Sequence, residues 1–276
     1  MKKIIKYLIV ILFFMISIYY TEHSMNILNQ NDPIIAEIKN NLDKYKVEPI
    51  NGKINNNIII PGKKGQEVDI EKTYKEMKKY GIYNEALTKI KEVEPVISIE
   101  ENKDKYIKLT ANDNKTVSLL FIIKNNYDIN NLLKILKNNN IKVTIYIEKS
   151  YIENNIKVLK ETNQSIELLI DSKELFKANK KYLEAVIDNK LNYCYLEEEN
   201  DEILNLCKKN KMYTVIPSKI IKNNLYKNVK NSIEYSPIIS IYPNKYIEKE
   251  LTSTIKYLKK KGYKFYDLKT ILSEDN

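Results

Sequence analysis

Residues 117–147 read VSLLFIIKNNYDINNLLKILKNNNIKVTIYI, and this stretch decides the fold. The run Val117–Ile123 is apolar at successive positions, the pattern of a strand covered on both faces. Ile129 to Asn138 then spaces leucine and isoleucine at helical intervals, and a second two-faced run follows at 142–147. Strand, amphipathic helix and strand in that order read as one β/α unit of a covered parallel sheet.

The same alternation continues to the end of the chain. Further strand runs are SIELLI (165–170), LNYCYL (191–196), MYTVI (212–216), PIISIY (237–242) and KFYDL (264–268). Helices are predicted between them at 151–161, 172–188, 201–210 and 246–261. Ser150, Asp171 and Asn200 read as N-caps and Gly262 as a C-terminal stop. Seven such units predict an α/β fold, either a closed or distorted (β/α) barrel or an open doubly wound sheet. Both architectures place chemistry at the carboxyl ends of the strands.

Upstream of residue 115 the pattern is mixed. Asn31-Asp32-Pro33 reads as a cap followed by proline at the first helical position, opening a short amphipathic helix through Leu42. Residues 47–61 read as extended. In PGKKGQEVDIEKTYKEMKKYG (61–81) two glycines suit a turn, Asp69 starts a helix and Gly81 ends it. Residues 86–99 read as strand broken at Pro95. At the N-terminus, Lys2, Lys3 and Lys6 precede the run YLIVILFFMISIYY (7–20). Ile4–Tyr20 would span about 26 Å as helix at ~1.5 Å per residue, enough for a snorkelling membrane anchor. A cleaved signal is the competing reading, but no small-x-small site follows. The lysine asymmetry predicts a single-pass protein with its N-terminus cytoplasmic and its body outside the cell membrane. The expected organisation is therefore an anchor or uncleaved signal (1–22), a juxtamembrane linker (23–46), a small mixed α+β region (47–114) and an α/β domain (115–276).

Composition closes off several chemistries. The 276 residues hold one histidine, His23, two cysteines, 22 tyrosines, no tryptophan and no arginine. A single imidazole beside the apolar N-terminal run excludes zinc-hydrolase histidine clusters and leaves a nucleophile–histidine pair without its base. The net charge of +10 comes entirely from lysine, interspersed with Glu and Asp. That even mixture reads as a solvated surface, and no nucleic-acid partner is expected.

The order of these units resembles the NodB homology domain, the polysaccharide deacetylase family, across residues 115–274. VSLLFIIKNN is similar to that family's opening strand V-A-L-T-F-D-D-G, and LLKILKNNNIKVTIYI to its following helix and second strand. SIELLIDSKEL (165–175) is similar to G-H-E-I-G-N-H-T-x-x-H, and PIISIYPN (237–244) to G-S-I-I-L-L-H-D. KKGYKFYDLKTILSE (260–274) carries the most specific likeness, to the closing turn and strand. The 61–81 segment also resembles an N-terminal extension of Gram-positive members.

The resemblance implies a metal-dependent hydrolase of acetamide groups on a carbohydrate, yet its functional positions are mostly empty. The paired aspartates fall on Ile122 and Ile123. The two metal-binding histidines fall on Asp171 and Leu175. The late acid histidine falls on Tyr242 and its neighbouring aspartate on Pro243. Aliphatic side chains neither ligate a cation nor move a proton, so no catalytic residue, metal or cofactor is expected. An oxygen-only metal site from Asp171, Glu174, Glu197, Glu198 and Asp267 is disfavoured, since these acids suit helix starts.

The remaining candidates are polar and aromatic groups near strand ends. Asp171, Tyr195, Glu197, Ser218 and Tyr242, with Asn244, are the expected lining of a glycan cleft. Cys194 and Cys207, thirteen residues apart, allow a disulfide, although two buried thiols packed as small hydrophobes is the favoured reading. Lys259–Lys261 read as a solvated helix end. The expected function is a membrane-anchored, extracytoplasmic, deacetylase-like protein without activity, associated with cell-wall glycan. A divergent deacetylase rebuilt around Asp171 and Glu197 is one alternative, and a scaffold for a surface protein is another.

Overall fold

The computed structural model describes residues 11–16, 32–110, 115–124, 127–233 and 237–275. Most of the expected anchor, residues 4–20, lies outside them. No described helix is long and apolar enough to cross a membrane. The chain divides into two compact units, residues 1–49 with 64–93 and residues 50–63 with 94–276. This grouping runs across the boundaries expected at 46 and 114, because the strands that complete each unit come from separated parts of the chain.

The smaller unit is built on two helices and a hairpin. Helix α1 (Pro33–Asn40) starts on Asp32, whose Oδ1 accepts the Ile34 N–H at 2.9 Å. In the larger unit, β1 (Lys53–Asn55) runs antiparallel to β2 (Ile58–Ile60), and Gly62 follows. Gly62 is not a turn residue as expected: a Cβ there would lie 2.4 Å from Ile50 O, so the close backbone approach demands glycine. Returning to the smaller unit, β3 (Gly65–Val68) pairs antiparallel with β4 (Ile90–Val93), and α2 (Ile70–Lys78) lies between them in sequence. Asp69 caps α2 and Gly81 ends it at φ +73°, as the sequence predicts. Ile34, Ile35 and Ile38 pack with Val68, Tyr74 and Met77, and the Tyr74 hydroxyl donates to Asp32 Oδ2 at 2.8 Å. One aspartate thereby caps α1 and fastens it to α2.

The larger unit is an α/β structure of mainly parallel strands. After β5 (Tyr106–Ile107) come β6 (Thr116–Ile123), α3 (Asn130–Asn138), β7 (Thr144–Ile147), α4 (Lys149–Asn154), α5 (Ile156–Glu161) and β8 (Ser165–Leu168). There follow α6 (Phe176–Ile187), β9 (Tyr193–Tyr195), α7 (Asp201–Lys209), β10 (Tyr213–Val215), β11 (Lys219–Ile221) and α8 (Leu225–Ser232). The chain closes with β12 (Ile238–Ile241), α9 (Lys245–Lys260), β13 (Lys264–Phe265) and α10 (Leu268–Ile271). All seven predicted strand runs of the α/β domain are strands. The 151–161 helix is instead two helices meeting at Asn155, and α8 was not predicted.

These strands form two ladders among the described residues, not one closed set. One runs β11-β12-β6-β7-β8, with β13 also on β6, and the other runs β1-β2-β5-β10-β9. Strands from the region expected to be a separate α+β domain thus complete the second ladder, β5 inserting beside β10. At the β8/β9 seam the Glu167 carboxylate accepts the N–H groups of Asn192 (3.2 Å) and Tyr193 (3.3 Å). A side chain there supplies the bonds a strand ladder would otherwise make.

Alternation along β6 sorts the core. Val117, Leu119, Phe121 and Ile123 face the helix-covered cluster, whereas Leu120 and Ile122 join Tyr146, Tyr193, Tyr195 and Val215 in an inner cluster shared by both ladders. Leu268, Ile271 and Leu272 plug that interior at the amino ends of β6 and β7, where the Leu268 N–H donates to Thr144 Oγ1 at 2.9 Å. Glu274 accepts the N–H of Gly62 at 2.6 Å, fastening the C-terminal turn.

Candidate functional site

The opposite end of the interior, at the carboxyl ends of β6 and β12, holds the candidate rim. Ile239, Ser240 and Ile241 pair with Leu119, Leu120 and Phe121, so Tyr242 continues the register to the level of Ile122. Ile122 is 2 % exposed and packs in the inner cluster, against which Tyr242 also packs. Ile123 faces the other way, into the helix-covered core. Two carboxylates at these positions would therefore point to opposite sides of the strand, and the residues present offer none.

A polar network sits on this apolar floor. The Tyr195 hydroxyl lies 2.9 Å from Ser240 Oγ, and both residues are buried. The Tyr242 hydroxyl donates to Glu197 Oε1, while Lys222 Nζ stands 3.5 Å from Glu197 Oε2. Lys222 Nζ is also 4.9 Å from the centre of the Tyr242 ring and Lys124 Nζ is 5.9 Å from it, within cation–π range. Burial, then the bond to Glu197, then the bond to Tyr195 push the Tyr242 phenol far above its ordinary range. Burial likewise raises Tyr195. Both phenols stay protonated, so the rim offers hydrogen-bond donors and acceptors but no tyrosinate base.

The other expected site residues do not join this network. Asp171 and Leu175 follow β8 at the same strand ends, yet both are exposed. Asp171 accepts a bond from Asn179 Nδ2 at 3.4 Å and caps no helix, because α6 begins only at Phe176. Residues 172–175 form a turn held by Ser172, whose Oγ accepts the Leu175 N–H and donates to Glu174. Ser218 is displaced from the rim. Its N–H donates to Ile238 O and its Oγ to Lys108 O, each at 2.8–2.9 Å, so it sits level with the start of β12. That is four residues below Tyr242, about 13 Å at ~3.3 Å per strand residue. Asn244 is engaged as the cap of α9, accepting from Tyr246 and Ile247, and Asp267 caps α10. Among the described residues no group of three His, Cys, Asp or Glu side chains is placed to hold a metal ion.

Cys194 and Cys207 are joined in a disulfide linking β9 to α7. This corrects the favoured reading of two separate thiols. Lys222, Lys124 and Ser240 are the rim members that sequence reasoning missed. Ser240 lay inside an apolar run and the two lysines are unremarkable among 46; only the strand register distinguishes them.

No protein-family model matches the chain. It is 27% identical over 140 residues to the uncharacterized protein YlxY of Bacillus subtilis, a match covering 50% of this chain and 44% of that protein. The chain thus matches less than half the length of that curated relative. Among solved structures, wild-type BA3943, a CE4 family pseudoenzyme from Bacillus anthracis, shares the fold at a TM-score of 0.65 and 21% identity, over 88% of this chain and 95% of that one. A BA3943 mutant with restored enzymatic activity gives 0.65 at 22% identity, over 88% and 98%. PdaA of Bacillus subtilis, a family 4 carbohydrate esterase, gives 0.53 at 16% identity, over 82% and 98%.

Proposed function

We propose that this chain, which has the fold of the family 4 carbohydrate esterases and resembles a degenerate polysaccharide deacetylase, is a non-hydrolytic glycan-associated protein. In this reading it is held at the outer face of the cell membrane by residues 4–20, and its two ladders are the halves of a distorted barrel opened at the β8/β9 seam. The observation that carries the proposal is the exchange of chemistry at one rim. Where the family would have its base and its acid, this chain has Ile122, buried among apolar groups, and Tyr242, a phenol bonded to Glu197. Hydrolysis of an acetamide by the family's route needs a polarised carbonyl and an activated water. Ile122 supplies neither, and a protonated Tyr242 takes up no proton. The rim retains donors and acceptors on an aromatic floor, the equipment of saccharide binding.

The test uses the full chain. Loaded with zinc, cobalt, manganese or nickel and dialysed, it should retain no stoichiometric metal and release no acetate from chitooligosaccharides or purified wall. It should co-sediment with purified cell wall at low salt, and Glu197→Gln with Lys222→Gln should weaken that retention severalfold. Metal retained at one equivalent and lost in Asp171→Ala would replace this reading by a divergent deacetylase. Absence of wall retention would remove the glycan and leave a protein scaffold.

A further inference from the structure

The face of α9 that meets α8 carries a second surface feature, lined by none of the rim residues. A groove of about 810 Å³ lies there, lined by Tyr226, Lys249, Glu250, Lys256, Tyr257 and Lys260 with Ser253. Its size falls within the ~300–1,000 Å³ of ligand-binding pockets. We propose that this groove binds a linear anionic saccharide, a sugar or polyol chain bearing spaced carboxylates or phosphates.

Lys249, Lys256 and Lys260 are seven and four residues apart on α9, which at 100° per residue keeps them within one narrow stripe. At ~1.5 Å per residue the stripe is about 16 Å long, with cations ~10 Å and ~6 Å apart. All three lysines are exposed, and no ion pair joins them to a carboxylate among the described residues. Three cations stand in a row along the groove against one lining carboxylate, Glu250, which favours an extended polyanion over a single small anion.

Two further features select the saccharide class. The Tyr226 and Tyr257 rings meet edge to face, with centroids 5.6 Å apart and planes at 68°. That geometry presents one ring as a platform for a sugar face, and it provides no parallel slot for a nucleobase. Glu250 lies inside the basic groove, where its Oε2 accepts the Tyr226 N–H at 2.9 Å. The rest of its carboxylate is an acceptor that a hydroxyl-bearing ligand satisfies and a densely charged phosphodiester strand does not. Lysine suits the charge itself, since it acts as a point cation toward isolated anionic groups.

The proposal does not depend on the rim reading, and the two are tested with different residues. The probe is a defined oligogalacturonate, titrated calorimetrically into the full chain at low salt, with a neutral chitooligosaccharide of equal length and single-stranded oligo-dT as comparators. Binding is expected for the oligogalacturonate alone, weakening steeply with added salt. The triple substitution Lys249→Gln, Lys256→Gln and Lys260→Gln should weaken it at least tenfold, and Tyr257→Ala severalfold. A charge-matched control on α7 and the turn after it, Lys208→Gln, Lys209→Gln and Lys211→Gln, should change affinity less than twofold. Equal losses in the two triple variants, equal binding of oligo-dT, or no binding of the oligogalacturonate would each overturn the proposal.

Discussion

The Tyr195 hydroxyl lies 2.9 Å from Ser240 Oγ, and this bond joins β9 of one ladder to β12 of the other across the buried interior. Both residues are buried, and the Tyr195 ring stands 5.4 Å from that of Tyr146. Tyr195→Phe keeps the ring and strands the serine hydroxyl without a partner. The expected cost is ~1–2 kcal/mol, read as a lower urea midpoint at unchanged slope. Removing both polar atoms, in Tyr195→Phe with Ser240→Ala, should recover part of that loss. A double variant no better than the sum of the singles would deny the coupling.

The β8/β9 seam is predicted to be sensitive to pH. Burial raises the Glu167 carboxyl from its ordinary 4.5 to about 8, partly opposed by the bonds from the Asn192 and Tyr193 N–H groups. Lys180 lowers it further and Glu184 raises it. Between those two values the folded chain holds a proton that the unfolded chain has released, so unfolding releases protons and stability falls as pH rises. The contribution is fully present below about 4.5 and is lost as pH rises through about 8. A decline on the order of 2 to 4 kcal/mol is expected from pH 5 to pH 9. With a single histidine in the chain, few other side chains titrate in that window. Glu167→Gln should flatten the profile; an unchanged slope would place the titration elsewhere.

The Cys194–Cys207 disulfide closes a loop of thirteen residues between β9 and α7. Closing a loop of that size restricts the unfolded chain, with an expected stabilisation of ~3 kcal/mol. Chemical denaturation with and without reductant should differ by about that amount, and Cys194→Ala with Cys207→Ala should match the reduced protein. Identical midpoints in oxidised and reduced samples would mean that the bond does not constrain the chain.

Local pattern explains what the sequence made legible. Val117–Ile123 could be read as a two-faced strand because each of its residues is buried, and Asp69, Asn200, Gly81 and Gly262 act as the caps their residue types suggest. Asp171 was misread because the helix it would cap starts five residues later, behind a turn held by Ser172. Placing Ser218 at the rim failed for a different reason: strand-end position in sequence does not report height within the sheet, which pairing with Ile238 sets. The insertion of β5 beside β10 joins residues more than a hundred positions apart, and no periodicity encodes such a pairing. The helix α8, LYKNVKNS, has only Leu225 and Val229 buried, too weak a stripe to stand out.

Ile122 offers a direct test of whether the rim can accommodate a carboxylate and a metal ion. The side chain is 2 % exposed, level with Tyr146 on β7 and with Tyr242 beyond β12. Ile122→Asp would place a carboxylate on this apolar floor, among Leu120, Tyr146 and Tyr195. Such a group either keeps its charge at a large desolvation cost or binds a proton and leaves polar atoms unpaired. Adding the lost apolar contact, the expected destabilisation is ~3–5 kcal/mol at neutral pH. Ile122→Asn, neutral and of the same shape, separates the two parts, and a smaller loss than Ile122→Asp at pH 8 would isolate the cost of charge. Zinc should restore neither variant, because Asp171 and Leu175 lie on the surface and Tyr242 is bonded to Glu197. A zinc-dependent rise in the unfolding midpoint of Ile122→Asp would show instead that the rim still gathers ligands around that position, and the non-hydrolytic reading would fall with it.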